Sequence, residues 1–181
     1  KLARTDQWDQ AAKAFQKATA LCPTDGVLWA NLAQAWRKLG RHEESVQAAR
    51  RAVAAAPDMA VGSQLLADGL KAQHRYGDAA VALREVADAY DTTHTRYELA
   101  HALLQAGKPQ EAIEELLRAL EQTPHYLPGH LQLGNLFKSL KMHREAMECF
   151  LTASELDRKD ASALAAMLYE ALYACEWGRF E

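Results

Sequence analysis

Trp29-Ala30-Asn31-Leu32-Ala33 lies over His130-Leu131-Gln132-Leu133-Gly134 at an offset of 101 residues, one short of three periods of 34, with leucine matched to leucine and alanine to glycine. The segment endings repeat as well: Ala18-Thr19-Ala20-Leu21-Cys22-Pro23, Ala52-Val53-Ala54-Ala55-Ala56-Pro57 and Ala119-Leu120-Glu121-Gln122-Thr123-Pro124. Pro23 to Pro57 is 34 residues, and Pro57 to Pro124 is 67, two periods less one. Each proline closes a helical pattern, because it lacks an N–H and its ring clashes with the carbonyl one turn back. A fixed period of this length is the mark of a repeat array rather than of one closed core.

Counting Trp29 as repeat position 4, position 7 reads Leu32, Leu66, Leu99 and Leu133. Position 8 is small: Ala33, Ala67, Ala100 and Gly134. Position 20 is also small: Ala11, Ser45, Ala79, Ala112 and Ala146. Position 24 is mostly bulky: Phe15, Ala49, Leu83, Leu116 and Phe150. Position 27 carries Ala18, Ala52, Val86, Ala119 and Ala153. A pair of helices that cross at two small residues approach closely, and larger neighbours fill the space around the crossing.

This spacing and pattern resemble the tetratricopeptide repeat, a helix-turn-helix unit. The resemblance divides the chain into a half repeat 1–25, repeats 26–59, 60–92, 93–126 and 127–160, and a degenerate sixth helical unit, 161–181. It implies an all-α solenoid, a right-handed superhelix whose first helices line a concave groove. Departures are visible. Asp91 and Arg158 stand where proline is usual, and Ser63 and Arg96 stand where position 4 is usually large. Pro109, just after Gly107, is placed to open a second helix without losing a bond.

Composition agrees. The 181 residues include 36 Ala and 25 Leu against 6 Val and 1 Ile, a mixture that favours helix over sheet. With 21 Lys+Arg, 24 Asp+Glu and a net charge of −3, the chain is not a generally basic nucleic-acid binder. No run of about 18 apolar residues is present, so no membrane span is expected. The N-terminus lacks an apolar leader and an initiator Met, and reads as part of a longer protein. Three scattered cysteines, Cys22, Cys149 and Cys175, fit a reducing cytoplasmic setting and read as small core residues.

The resemblance places the groove at positions 2, 5, 6, 9, 12 and 13 of each first helix. The expected partner-binding residues are Asn31, Gln34, Arg37, Gln64, Asp68, Lys71, Tyr97, His101, Gln132, Asn135 and Lys138. Arg37, Lys71 and Lys138 at position 12 suggest a broken basic stripe, interrupted by Leu104, and an extended ligand of mixed polarity with some acidic character. The carboxylate clamp of some tetratricopeptide co-chaperones is not expected, because only Asn31 fits while Gln64 and Asp68 occupy clamp sites that call for Lys and Arg.

No catalytic motif or paired-cysteine metal pattern is present, so no cofactor, metal or chemistry is expected in these residues. The seven histidines, His42 and His143 at position 17 among them, read as packing residues. Glu170 and Leu168 spoil the repeat in the last unit. The following Cys175-Glu176-Trp177 is similar to the junction of bacterial SPINDLY-type and O-linked N-acetylglucosamine transferases. That resemblance implies a substrate-selecting arm for a glycosyltransferase domain beyond Glu181. The reading from the groove is a protein- or peptide-binding scaffold, with self-association possible through exposed apolar ends.

Overall fold

A computed structural model describes residues 2–158 and 161–174. Ten helices run in chain order among them: α1 Leu2–Leu21, α2 Gly26–Lys38, α3 His42–Ala55, α4 Ala60–Ala72, α5 Tyr76–Ala89, α6 Thr93–Gln105, α7 Pro109–Gln122, α8 Leu127–Ser139, α9 His143–Leu156 and α10 Ala161–Ala174. No strand occurs among the described residues. No helix there is long and apolar enough to cross a membrane.

The helix ends follow from local chemistry. Asp25 caps α2, its carboxylate accepting from the N–H of Val27 at 2.9 Å and of Leu28 at 3.3 Å. Thr92 and Thr95 exchange backbone N–H and hydroxyl bonds at 3.2 Å and so cap α6. Helices α1, α3 and α7 stop two residues before Pro23, Pro57 and Pro124. Helices α5 and α9 stop at the same distance from Asp91 and Arg158.

The turns inside the helix pairs share one geometry. Gly40, His74, Gly107 and Lys141 all have positive φ, between 57° and 76°. After each, the next N–H reaches back to a carbonyl in the last turn of the helix: Arg41 to Trp36 O at 2.9 Å, Arg75 to Leu70 O at 2.9 Å, Lys108 to Leu103 O at 3.0 Å and Met142 to Phe137 O at 2.9 Å. This closure satisfies carbonyls that the helix end leaves open, and it requires a left-handed residue. Pro109 then opens α7 as its first residue.

Small residues set the helix spacing. Ser45, fully buried on α3, donates its hydroxyl to the carbonyl of Ala33 on α2 at 2.8 Å. That distance is reached because Ala33, the eighth residue of α2, holds no more than a methyl group there. On α8 the eighth residue is Gly134, and a Cβ there would lie 2.8 Å from the ring of Phe150 on α9. Between neighbouring pairs, a Cβ on Gly69 of α4 would lie 2.7 Å from Val46 of α3.

The described chain forms two compact units. One runs to Asp91 and takes in His101–Lys108; the other holds Thr92–Ala100 and the chain from Pro109 onward. In the first, α1 packs on α2, α2 on α3, α3 on α4 and α4 on α5. Its core joins Ala12, Ala33, Trp36, Ala49 and Leu65, with Trp8, Phe15 and Trp29 packed against it. In the second, α7 packs on α8, α8 on α9 and α9 on α10, around Met147, Phe150 and Met167.

The second unit also hides charge. Glu115 on α7 is 3% exposed and accepts from Arg96 at 2.7 Å and from Arg118 at 3.2 Å. Glu170 on α10 is fully buried, with His143 Nδ1 2.7 Å from one oxygen. Lys138 Nζ lies 3.4 Å from the other oxygen, near enough for charge attraction but not placed for a hydrogen bond. His143 is thus more than the packing residue expected of it, since it also stacks on Tyr173 with ring centroids 5.2 Å apart.

Candidate functional site

Within the first unit, four of the expected groove residues come together. Asp68 on α4 lies 3.4 Å from Arg37 of α2 and 3.2 Å from Lys71, one turn further along α4. Gln64 donates to the same carboxylate at 3.4 Å. The three charged side chains are only 20–34% exposed. The expected basic stripe is therefore not an open row of cations. Position 9 of one helix falls between position 12 of the helix before it and its own position 12, so an aspartate there meets both. Lys138, in the second unit, is also engaged: besides Glu170 it sits over the ring of Tyr169, 4.7 Å from the centroid.

Four others of the expected groove residues are held differently. Asn31 and Gln34 on α2 and Gln132 on α8 are half-buried, and Asn135 on α8 is exposed. None of these four side-chain amides makes a hydrogen bond to another described residue, and the Gln132 amide nitrogen is buried with no partner. They occupy the sixth and ninth residues of their helices, so each helix shows an amide pair three residues apart on one face. An amide offers a donor and an acceptor side by side, the same complement as a peptide unit.

Tyr97 is half-buried on α6 and meets Tyr126 edge to face, with centroids 5.4 Å apart. Burial, and next the charge of Glu98, push its hydroxyl pKa up, so it stays a neutral donor. His101 is exposed and belongs to the first unit.

The cysteines divide. Cys22 is exposed just past the end of α1, not in the core as expected. Cys149 is half-buried on α9, and burial, with help from Glu148 and Glu145, pushes its thiol up to about 12. Cys175, and the Cys175-Glu176-Trp177 stretch similar to a glycosyltransferase junction, lie outside the described residues. No group of three metal-ligating side chains converges among the described residues.

Two tetratricopeptide-repeat profiles match the chain, one over residues 2–60 and 65–126, the other over residues 103–170. The chain belongs to the tetratricopeptide-repeat family. A search of curated proteins finds no match. Among solved structures it is similar to MamA, residues 41 to end, from Desulfovibrio magneticus, at 20% identity over 88% of this chain and 91% of that one, with a TM-score of 0.76. It is similar to YrrB, described as a TPR protein with an unusual peptide-binding site, at 20% identity over 93% and 88% of the two chains, with a TM-score of 0.76. A thermophilic TPR protein from Thermus thermophilus, TTC0263, is similar at 20% identity over 94% of each chain, with a TM-score of 0.61. At these identities the likeness is one of fold. That fold is the all-α tetratricopeptide-repeat fold, in which first helices such as α2, α4 and α8 carry the polar residues described above.

Missing from the expected site were Glu170 and Tyr169, which engage Lys138. A signal existed: Glu170 is the one charged residue in an otherwise apolar helical stretch, and such a residue needs a partner when buried.

Proposed function

We propose that this tetratricopeptide-repeat chain is a binding scaffold for extended protein segments, with no chemistry assigned to the residues described. The observation that carries the reading is the pair of unpartnered amides on each of α2 and α8: Asn31 and Gln34, Gln132 and Asn135. Amides without internal partners are held ready for backbone groups of a bound peptide. Arg37, Lys71 and Asp68 add a cluster of net charge +1 on α2 and α4, suited to a peptide of mixed polarity with an acidic residue. On this reading the repeats run 26–59, 60–92, 93–126 and 127–160, after the half repeat 1–25, and the setting is cytoplasmic. YrrB, with its peptide-binding site, is a precedent on the same fold. The glycosyltransferase-arm reading has only the residues around Cys175–Trp177 behind it, so it is not the one proposed.

A displayed library of random 12-residue peptides, selected on the chain, supplies the probe; fluorescence anisotropy with the best peptide supplies the affinity. Asn31→Ala with Gln34→Ala, and Gln132→Ala with Asn135→Ala, are expected to weaken binding at least about tenfold per pair. Lys71→Glu and Lys138→Glu weaken acidic peptides more than neutral ones. The reading falls if selection returns no peptide, or if both amide-pair variants, with wild-type circular dichroism, bind as tightly as the parent.

A further inference from the structure

A cleft of about 590 Å³ opens in the first unit, with α2 as its floor and α1 and α3 as its walls. It is bounded by three successive packed helices rather than by the end of the array. Trp29, Leu32 and Trp36, the fourth, seventh and eleventh residues of α2, make one stripe of that helix and line the bottom. Asn31 and Gln34 lie on nearly the opposite side of the same helix. Leu32 and Trp36 are buried and Trp29 is half-buried, whereas Gln16, Gln47 and Arg51 on the rim are exposed. The volume is that of a binding site, but the cleft is open to water.

Two arginines of the cleft each face a tryptophan, and they differ. The guanidinium carbon of Arg41 lies 4.0 Å from the centroid of the Trp36 ring. Glu44 holds it there, accepting from Arg41 Nε at 2.8 Å. The guanidinium carbon of Arg51 stands 6.0 Å from the Trp29 ring, the outer limit of such an attraction. Arg51 makes no ion pair or hydrogen bond with another described residue. One turn either side of it stand Gln47, Ala48, Ala54 and Ala55, none of them acidic. The one carboxylate lining the cleft is Glu44, already taken by Arg41, so the lining carries a net charge of +1. Packing does not demand this arrangement. In the next pair the same places hold Ser63 for Trp29, Leu70 for Trp36 and Glu85 for Arg51, while Arg75 and Asp78 repeat the pair of Arg41 and Glu44.

We propose that this cleft is a second docking site, taking a segment of a partner protein in which an aromatic side chain stands beside an acidic one. The aromatic ring enters between Trp29 and Arg51. Two stacked contacts of about 3.5 Å need about 7 Å, roughly 1 Å more than the present gap, and the exposed Arg51 side chain can yield that much. The neighbouring carboxylate meets Arg51 as Glu44 meets Arg41. Gln16 and Gln47, whose amides bond to no other described residue, offer donors and acceptors to the segment's backbone from facing walls. An open cleft suits a side chain carried on a longer segment better than a free small molecule, which needs enclosure. The site uses no residue of the amide face, so either can hold without the other.

Nuclear magnetic resonance of the 181-residue chain tests it through the indole N–H signals of its four tryptophans. The Trp29 signal, assigned with Trp29→Phe, is the reporter, because that N–H donates to Pro23 O at 2.8 Å and Pro23 lines the cleft. The probe is a capped peptide with phenylalanine between two aspartates. It should shift the Trp29 signal saturably, with a dissociation constant of about 0.1–1 mM. Replacing its aspartates by lysines, or its phenylalanine by alanine, should weaken binding at least about tenfold. Arg51→Glu, with unchanged helical circular dichroism, should do the same and reverse the preference toward the lysine peptide. Asn31→Ala with Gln34→Ala should leave the affinity as it is. No saturable shift overturns the proposal, as does equal binding of the control peptides, binding that survives Arg51→Glu, or binding lost with the amide pair. Phenylacetate binding as tightly as the peptide overturns it too, since the site would then serve a small aromatic acid.

Discussion

The fourth residue of α2 is Trp29, and the fourth residue of α6 is Arg96. Trp29 lays its ring on the core of the first unit and donates its indole N–H to Pro23 O at 2.8 Å. Arg96 puts a guanidinium, 11% exposed, on the buried carboxylate of Glu115. The same contrast holds more widely. Among the described residues, the buried polar side chains of the first unit are hydroxyls, Thr19, Ser45 and Ser63, whereas both buried carboxylates lie in the second. A repeat position thus fixes where volume must go and leaves its chemistry open. The two chemistries differ in how they fail. Trimming a ring loses contact in proportion to what is removed, whereas trimming one partner of a buried ion pair strands the other.

The largest effect expected from that difference is at Arg96. Arg96→Leu takes from buried Glu115 the less exposed of its two guanidinium contacts, and should cost about 3 kcal/mol. Adding Glu115→Leu removes the stranded charge and should recover most of the loss. Urea unfolding followed by helical circular dichroism measures both. A double variant as unstable as the single one would mean that the slot needs the ion pair itself and not merely filling.

Glu170 sharpens the comparison within the second unit. Its partners are freer than those of Glu115, with side-chain exposures of 30% for His143 and 44% for Lys138. Glu170→Leu lets both return to water, so the expected loss is smaller, about 1.5 kcal/mol. Amide hydrogen exchange should show the loss concentrated in α10. A cost equal to that of Arg96→Leu would show that exposure of the partner does not set the penalty.

Much of the fold was legible because the period records volume. Small residues at the eighth and twentieth positions, and the prolines after Leu21, Ala55 and Gln122, announced the crossings and the helix ends. What stayed hidden was pairing across helices. Arg96 and Glu170 read only as departures, because their partners lie 19 and 27 residues away and no periodicity links them. For the same reason Arg37 and Lys71 looked like an open stripe, though Asp68 stands between them. The turn residues were in plain view: Gly40, His74, Gly107 and Lys141 fall in one column of the repeat, and two glycines there suggest that the other two are also left-handed.

That column supplies the smallest prediction, and the one in which both units share a constraint. Lys141, with φ of 61°, holds the same closing turn as Gly107, with φ of 76°. A Cβ in this region crowds the following carbonyl, at about 1–2 kcal/mol, while glycine adds entropy to the unfolded chain. The balance favours glycine, so Lys141→Gly should stabilise by about 1 kcal/mol and raise the melting temperature by about 3 °C. His74→Gly should gain less, because the ring of His74 meets Tyr76 edge to face and its Nδ1 lies 3.2 Å from the Tyr76 hydroxyl, contacts that glycine gives up. Gly107→Ala has open space around the new methyl group, so any loss there, about 1 kcal/mol, reports backbone strain alone. Calorimetry on the three variants separates the contributions. If Gly107→Ala is neutral, the left-handed turn is not what limits these positions, and the gain at Lys141 should vanish with it.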